Sequence, residues 1–179
     1  MLPVSAPAPE RTWLTNMPNN RKKVIVRMTA GSTIAGYLSL SGIARAGNVE
    51  LLDLSGRVLP IPLGDIKTIC YVGDFNLNDS VNPERLTRKT FLARPRSEGL
   101  WLRIAFPDGD LLEALAPLDR TLLDAIASDG GLFLIPPDIR GNTQRLFVPH
   151  AAIQSLQLLA VITTPSKPKP ASPQKTLFD

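Results

Sequence analysis

The feature that most constrains this chain is a hairpin written twice. It first reads Val26-Arg27-Met28-Thr29-Ala30-Gly31-Ser32-Thr33-Ile34-Ala35-Gly36 and returns as Ile104-Ala105-Phe106-Pro107-Asp108-Gly109-Asp110-Leu111-Leu112-Glu113-Ala114. Each copy is an alternating apolar run, a two-residue turn ending in glycine, and a second apolar run. Asp-Gly between alternating strands is a strong hairpin signal, because a type I′ turn needs positive φ at both central residues. Ala30-Gly31 is a weaker version at the matching place.

The segments after each hairpin also recur. In the first copy, residues 49–53 and 58–63 flank Ser55-Gly56 as a second hairpin, Gly64-Asp65 is a short break, and Ile66 to Val72 is a final strand. Pro60 and Pro62 cannot donate to a ladder, so residues 58–63 should form an edge or irregular strand. In the second copy, residues 132–135 and 145–148 flank Arg140-Gly141-Asn142. The corner Ile61-Pro62-Leu63-Gly64-Asp65-Ile66-Lys67-Thr68-Ile69 matches Val148-Pro149-His150-Ala151-Ala152-Ile153-Gln154-Ser155-Leu156 in class at its main apolar positions, and its proline is identical.

Five short strands per copy in this order suit an SH3-like or Sm-like small barrel. The expected fold is therefore mainly β, with two tandem small barrels at 21–78 and 99–162 that share an interface, since each alone would be marginal. A polar, basic linker over 79–98 joins them. A short amphipathic helix is expected within 117–129, where Leu118, Leu122 and Ile126 recur at helical spacing between Asp119 and Gly130. Residues 1–20, rich in Pro, Ala and Asn, and the Pro/Lys/Ser tail over 163–179 are expected to be disordered.

Composition narrows function more than fold. The chain has 179 residues and a net charge of +4, about half of it in the tail, so bulk charge makes no nucleic-acid footprint. The single cysteine, Cys70, excludes an internal disulfide and reads as a small core residue in a reducing compartment. No run is long enough to span a membrane, and the first residues lack the pattern of a signal peptide. The expected location is cytoplasmic.

A wider pattern appears at Asp65-Ile66-Lys67-Thr68-Ile69-Cys70-Tyr71-Val72-Gly73-Asp74-Phe75. With Asp108-Gly109-Asp110-Leu111-Leu112, residues 131–138 and Arg145-Leu146-Phe147-Val148, it resembles an uncharacterised bacterial domain family, over roughly residues 22 to 160. The helical insertion departs from that family's pattern. The resemblance supports the fold and carries no activity.

Catalytic chemistry finds little to work with. There is one His and one Cys, far apart, and no phosphate loop or zinc spacing. His150 beside Pro149 reads as structural, and Asp108 and Asp110 read as turn residues in preference to an acid/base pair. No cofactor is expected. A cyclic-dinucleotide barrel is a weaker alternative: Arg21 and Arg27 are too far apart for its arginine motif, and Asp53-Leu54-Ser55 is followed by glycine at the wrong spacing. Sm-like RNA binding is a stronger alternative. The usual loop residues are missing from 41–48, but Arg85, Arg88, Lys89, Arg94 and Arg96, with Phe91 and Trp101 near, could meet phosphates.

The sharpest partner signal is at the C-terminus. Gln174-Lys175-Thr176-Leu177-Phe178-Asp179 resembles the bacterial peptide that binds the replication sliding clamp, matching at Gln174, Leu177 and Phe178 and departing at Lys175 and Thr176. The resemblance implies a tethered, micromolar-scale contact, with two apolar anchors each gaining roughly 1.5–3 kcal/mol on burial. The sequence is thus read as a non-enzymatic adaptor or binding protein.

Overall fold

The computed structural model describes residues 21–39, 43–84, 88–118, 130–138 and 140–163. The expected termini and helical insertion lie outside them, except for the flanking residues Pro117, Leu118, Gly130 and Thr163. The described chain is mainly β. Its ten strands are β1 (Arg21–Met28), β2 (Thr33–Ser39), β3 (Asn48–Asp53), β4 (Val58–Pro62), β5 (Ile66–Val72), β6 (Gly99–Ala105), β7 (Leu111–Ala116), β8 (Gly131–Leu134), β9 (Thr143–Pro149) and β10 (Ser155–Ile162). Single 3₁₀ turns, Leu63–Asp65 and His150–Ala152, form the two corners that the sequence pairs with each other.

The hairpin turns are one residue longer than expected. Thr29-Ala30-Gly31 is closed by bonds from Met28 N–H to Ser32 C=O at 2.8 Å and from Gly31 N–H to Met28 C=O at 3.0 Å. Pro107-Asp108-Gly109 repeats the pattern at 2.9 and 3.0 Å, and Leu54-Ser55-Gly56 at 2.8 and 3.1 Å. Only the third residue of each is left-handed: Gly31, Gly109 and Gly56 have φ of +88°, +84° and +83°. A type I′ turn would force Ala30 or Asp108 to positive φ. The three-residue loop confines that conformation to glycine, which has no Cβ to clash.

The strands do not close into two separate barrels; they form two sheets. One has seven strands in the order β4-β3-β2-β1-β5-β9-β8, and the other has three in the order β10-β6-β7. An isolated bridge between Leu115 and Ile135 ties β7 to the residue after β8. Within residues 21–72 each strand pairs in the order β5-β1-β2-β3-β4, and within 99–162 β10 pairs β6, β6 pairs β7 and β8 pairs β9. The join between halves is antiparallel pairing of β5 with β9, with Ile69 opposite Phe147 and Tyr71 opposite Arg145.

That join sets how the core divides. On β1, Val24 and Val26 enter one apolar cluster and Ile25 the other. On β5, Ile69 and Tyr71 face the first cluster, while Cys70 and Val72 face the second. On β9, Phe147 faces the first, and Leu146 and Val148 the second. Central strands buried on both faces read as continuous apolar runs, as Val24-Ile25-Val26 and Ile69-Cys70-Tyr71-Val72 do. At β2, Gly36 lets β3 cross closely: a Cβ there would lie 2.5 Å from the Leu52 carbonyl oxygen.

Because Phe147 belongs to the second half and fills the first cluster, Phe147→Ala should cost about 3–5 kcal/mol. Denaturant unfolding followed by near-UV and far-UV circular dichroism should show one coincident transition. Two separated transitions would mean the halves unfold independently.

Candidate functional site

Two concavities hold most of the charged residues singled out by the sequence. The first is a cleft of about 270 Å³ between the halves. Its charges satisfy one another. Arg27 on β1 grips Glu84, which is 1% exposed, through a fork in which Nη2 donates to Oε2 at 2.7 Å and Nε donates to Oε1. The bond to Glu84 holds the Arg27 pKa above its ordinary value. Lys67 on β5 donates to Asp108 and, at 2.7 Å, to Asp110 across the hairpin turn of the second half; Lys89 reaches Asp110 at 2.9 Å. Lys67 also lies 4.9 Å from the Phe106 ring centroid.

These pairings decide what the groups can do. Asp110 is pulled down to about 2 by hydrogen bonds from Lys67 and then Lys89, and Asp108 is lowered by Lys67. Two carboxylates held ionised by lysines are poor proton donors near neutral pH. Burial pushes the Cys70 thiol well up, and its Sγ donates to Glu84 at 3.6 Å, so it lacks thiolate character. Asp53 closes its own turn, accepting from Ser55 and Arg57 backbone N–H groups at 2.9 and 2.8 Å. His150 opens the second corner, where its backbone N–H bonds the Gly130 carbonyl at 3.2 Å. Among the described residues no group of three or more His, Cys, Asp or Glu could hold a metal ion, and no helix is long and apolar enough to cross a membrane.

The second concavity is built by the segment between the halves, which is pinned more tightly than a solvated connector. The peg is Glu113 on β7, 4% exposed. Its carboxylate accepts from Arg103 at 2.8 Å, from the Phe91 backbone N–H at 3.1 Å and from the Trp101 indole at 3.3 Å. Burial works against its charge, but these donors prevail and hold its pKa below the ordinary carboxylate value. The Glu113 backbone N–H donates to the Lys89 carbonyl at 2.6 Å, and Phe91 meets Trp101 edge-to-face at 5.8 Å.

So anchored, the segment bounds a groove of about 260 Å³ lined by Arg88, Arg94, Arg96, Phe91, Pro136 and Pro137. The three arginines are exposed, and none forms an ion pair among the described residues. Of the five basic residues that the sequence groups, the structure gathers these three. Lys89 turns instead to Asp110, and Arg85 lies outside the described residues, as do Gln174, Leu177 and Phe178. Glu84 and Glu113 were missed by sequence reasoning. A lone glutamate inside the apolar run of β7 was the available signal for Glu113; Asn82-Pro83-Glu84 offers none for Glu84.

A family model described as a family of unknown function, DUF6982, matches residues 20–160. No curated protein and no solved structure matches the chain.

The depressed aspartates give the fold an acid-sensitive component. A carboxylate whose pKa is lowered on folding adds stability above its unfolded pKa, and that stability is lost as pH falls through the folded value. Lys67, raised by the same partners after burial lowers it, acts oppositely and only at alkaline pH. Stability should therefore decline between pH ~4 and about 2, and Asp110→Asn should flatten that decline in urea titrations. An unchanged acid limb would show that the lysine contacts do not persist in solution.

Proposed function

The chain belongs to DUF6982, a family of unknown function, and on that premise we propose that the protein is a cytoplasmic, non-enzymatic binding module whose ligand lies along the arginine groove. Each half reads as an opened small barrel of the SH3-like and Sm-like kind, derived from one duplicated unit. The repeated hairpins, the paired 3₁₀ corners and the shared strand order support this reading. It treats the seven-stranded sheet as the first unit joined edge to edge to β9 and β8 of the second.

The observation that carries the ligand class is the contrast between the two concavities. In the cleft every cation that we describe has an acidic partner. In the groove, Arg88, Arg94 and Arg96 have none among the described residues, and they surround an aromatic ring and two prolines. Guanidinium forks suit phosphate oxygens, and an aromatic and proline surface suits a base or sugar. A single-stranded nucleic acid presents both along one strand. Loops held by a rigid scaffold are a common place for such contacts, and the Glu113 peg supplies the rigidity.

A second reading rests on Gln174, Leu177 and Phe178, whose spacing resembles the sliding-clamp peptide at the end of a proline-rich tether. It would make the protein an adaptor at the replication clamp, with the groove left free.

Binding of a fluorescent single-stranded RNA, followed by anisotropy at low ionic strength, tests the first reading. Changing Arg88, Arg94 and Arg96 to Ala should weaken binding at least tenfold and lower the slope of log K against log salt by roughly 2. Lys89→Ala should do less. Absence of salt-dependent binding by the unaltered protein would sink the nucleic-acid reading. For the clamp, changing Leu177 and Phe178 to Ala should abolish the calorimetric signal with the clamp of the same source; no signal from the unaltered chain at a few hundred micromolar would remove that reading.

A further inference from the structure

The outer edge of β5 and the outer edge of β10 meet different fates. Against β5 lies β9, which brings Phe147 opposite Ile69. Phe133 of β8 then tilts over Tyr71 at 6.3 Å between centroids. Ile69 and Tyr71 end at 0% and 8% exposure. The chain's own corner match aligns Ile69 with Leu156 and Tyr71 with Leu158, so these positions on β10 should be covered as well. Among the described residues they are not: there β10 ends its sheet, and Leu156, Leu158 and Val161 are 50%, 54% and 49% exposed.

These three residues share a face. Leu156 lies opposite Ile104, Leu158 opposite Leu102 and, past a bulge, Val161 opposite Leu100. Ile104 and Leu102 are core residues, and Leu100 packs against them. The exposed leucines therefore continue the core outward to an open edge. The strand Ser155-Leu156-Gln157-Leu158-Leu159-Ala160-Val161-Ile162 has no charge and no proline. Natural sheet edges are protected by charge, proline, a bulge or shortness, and of these β10, eight residues long, has only the bulge after Leu158. The edge of the seven-stranded sheet at β4 is protected in this way: Pro60 and Pro62 occur in a five-residue strand, and both fall among the alternate residues that do not donate to β3.

We propose that β10 pairs antiparallel with β10 of a second copy of this chain. The self-pairing is favoured by three features. An uncharged strand set against itself brings no like charges together. The contact continues an existing sheet, turning two three-stranded sheets into one of six, and covers both sets of bare side chains. A contact between identical edges is also two-fold and closes on itself. Head-to-tail addition of β4 from another copy would not close in that way, and it would lose the two proline donors.

Two measurements on the full chain test this. Sedimentation equilibrium should find a monomer–dimer equilibrium below about 100 µM, and Leu158→Lys should shift its dissociation constant upward at least tenfold. Leu54→Lys, at a half-exposed residue in the turn between β3 and β4, should leave the equilibrium unchanged. Hydrogen exchange of the unaltered protein should show β10 amides gaining protection as concentration rises from 1 to 100 µM, a readout independent of whether a variant folds. A protein that stays monomeric overturns the proposal. So does β10 protection that is independent of concentration, which would assign the edge to another segment of the same chain. A dimer indifferent to Leu158→Lys, or higher species growing without limit, would also overturn it.

Discussion

The antiparallel pairing of β5 with β9 is the contact on which the other arrangements depend. β5 is a central strand only because β9 lies against it. With β9 in place, side chains on opposite faces of β1, β5 and β9 serve two different apolar clusters. Removing that pairing would uncover Ile69 and Tyr71 on one side and leave Cys70 and Val72 without Leu146 and Val148 on the other. Chains of this length often fold as two small cores joined by a linker, and each core is then marginal. Sharing strands lets each core borrow apolar area from the other half, and it makes the halves interdependent.

Charge is distributed to serve the same join. Lys67 reaches from β5 to the turn of the second half, and Arg27 reaches from β1 to the buried carboxylate of Glu84 in the connecting segment. The partly exposed pairs of Lys67 contribute little stability individually, whereas Glu84 left buried without Arg27 would be costly. The geometry of these pairs is specific, however, because each crosses between parts of the chain that the sheet alone would leave free to slide. Glu113 has the same role for the segment from Lys89 to Trp101. It accepts bonds from a backbone amide, an indole and a guanidinium, and the segment then has one path over β7. Arg94 and Arg96 sit on that path, and Arg88 immediately precedes it.

Much of the architecture was legible because β structure announces itself by alternation and turn chemistry. Ile66 to Val72 was located to the residue. The recurring hairpin order anticipated β1 to β9, with ends displaced by one to three residues. That the expected barrels do not close was not legible. Pairing between β5 and β9 depends on which edges meet in space, and nothing local in Thr143–Pro149 distinguishes a strand with one neighbour from a strand with two. Ile25 carried a faint signal, since an apolar residue between Val24 and Val26 breaks a one-sided alternation. The turns were misjudged by one residue because Asp-Gly fits both a two-residue loop and the last two positions of a three-residue loop. The basic cluster was legible as composition; which arginines converge was not, because that is decided by Glu113 and by the pairing of Lys89 with Asp110.

Chain order gives the central pairing a consequence during synthesis. β5 is complete at Val72, but its partner is not complete until Pro149. At the usual pace of translation, roughly 5–20 residues per second, the nascent chain waits roughly 4–15 s for β9. Through that interval Ile69 and Tyr71 border an unpaired edge, next to an apolar stretch with little charge. The ribosome therefore exposes an adhesive half-molecule before it can release a finished one. Codon choice and chaperone access along residues 73–149 become determinants of yield, although those residues include no part of the strand at risk.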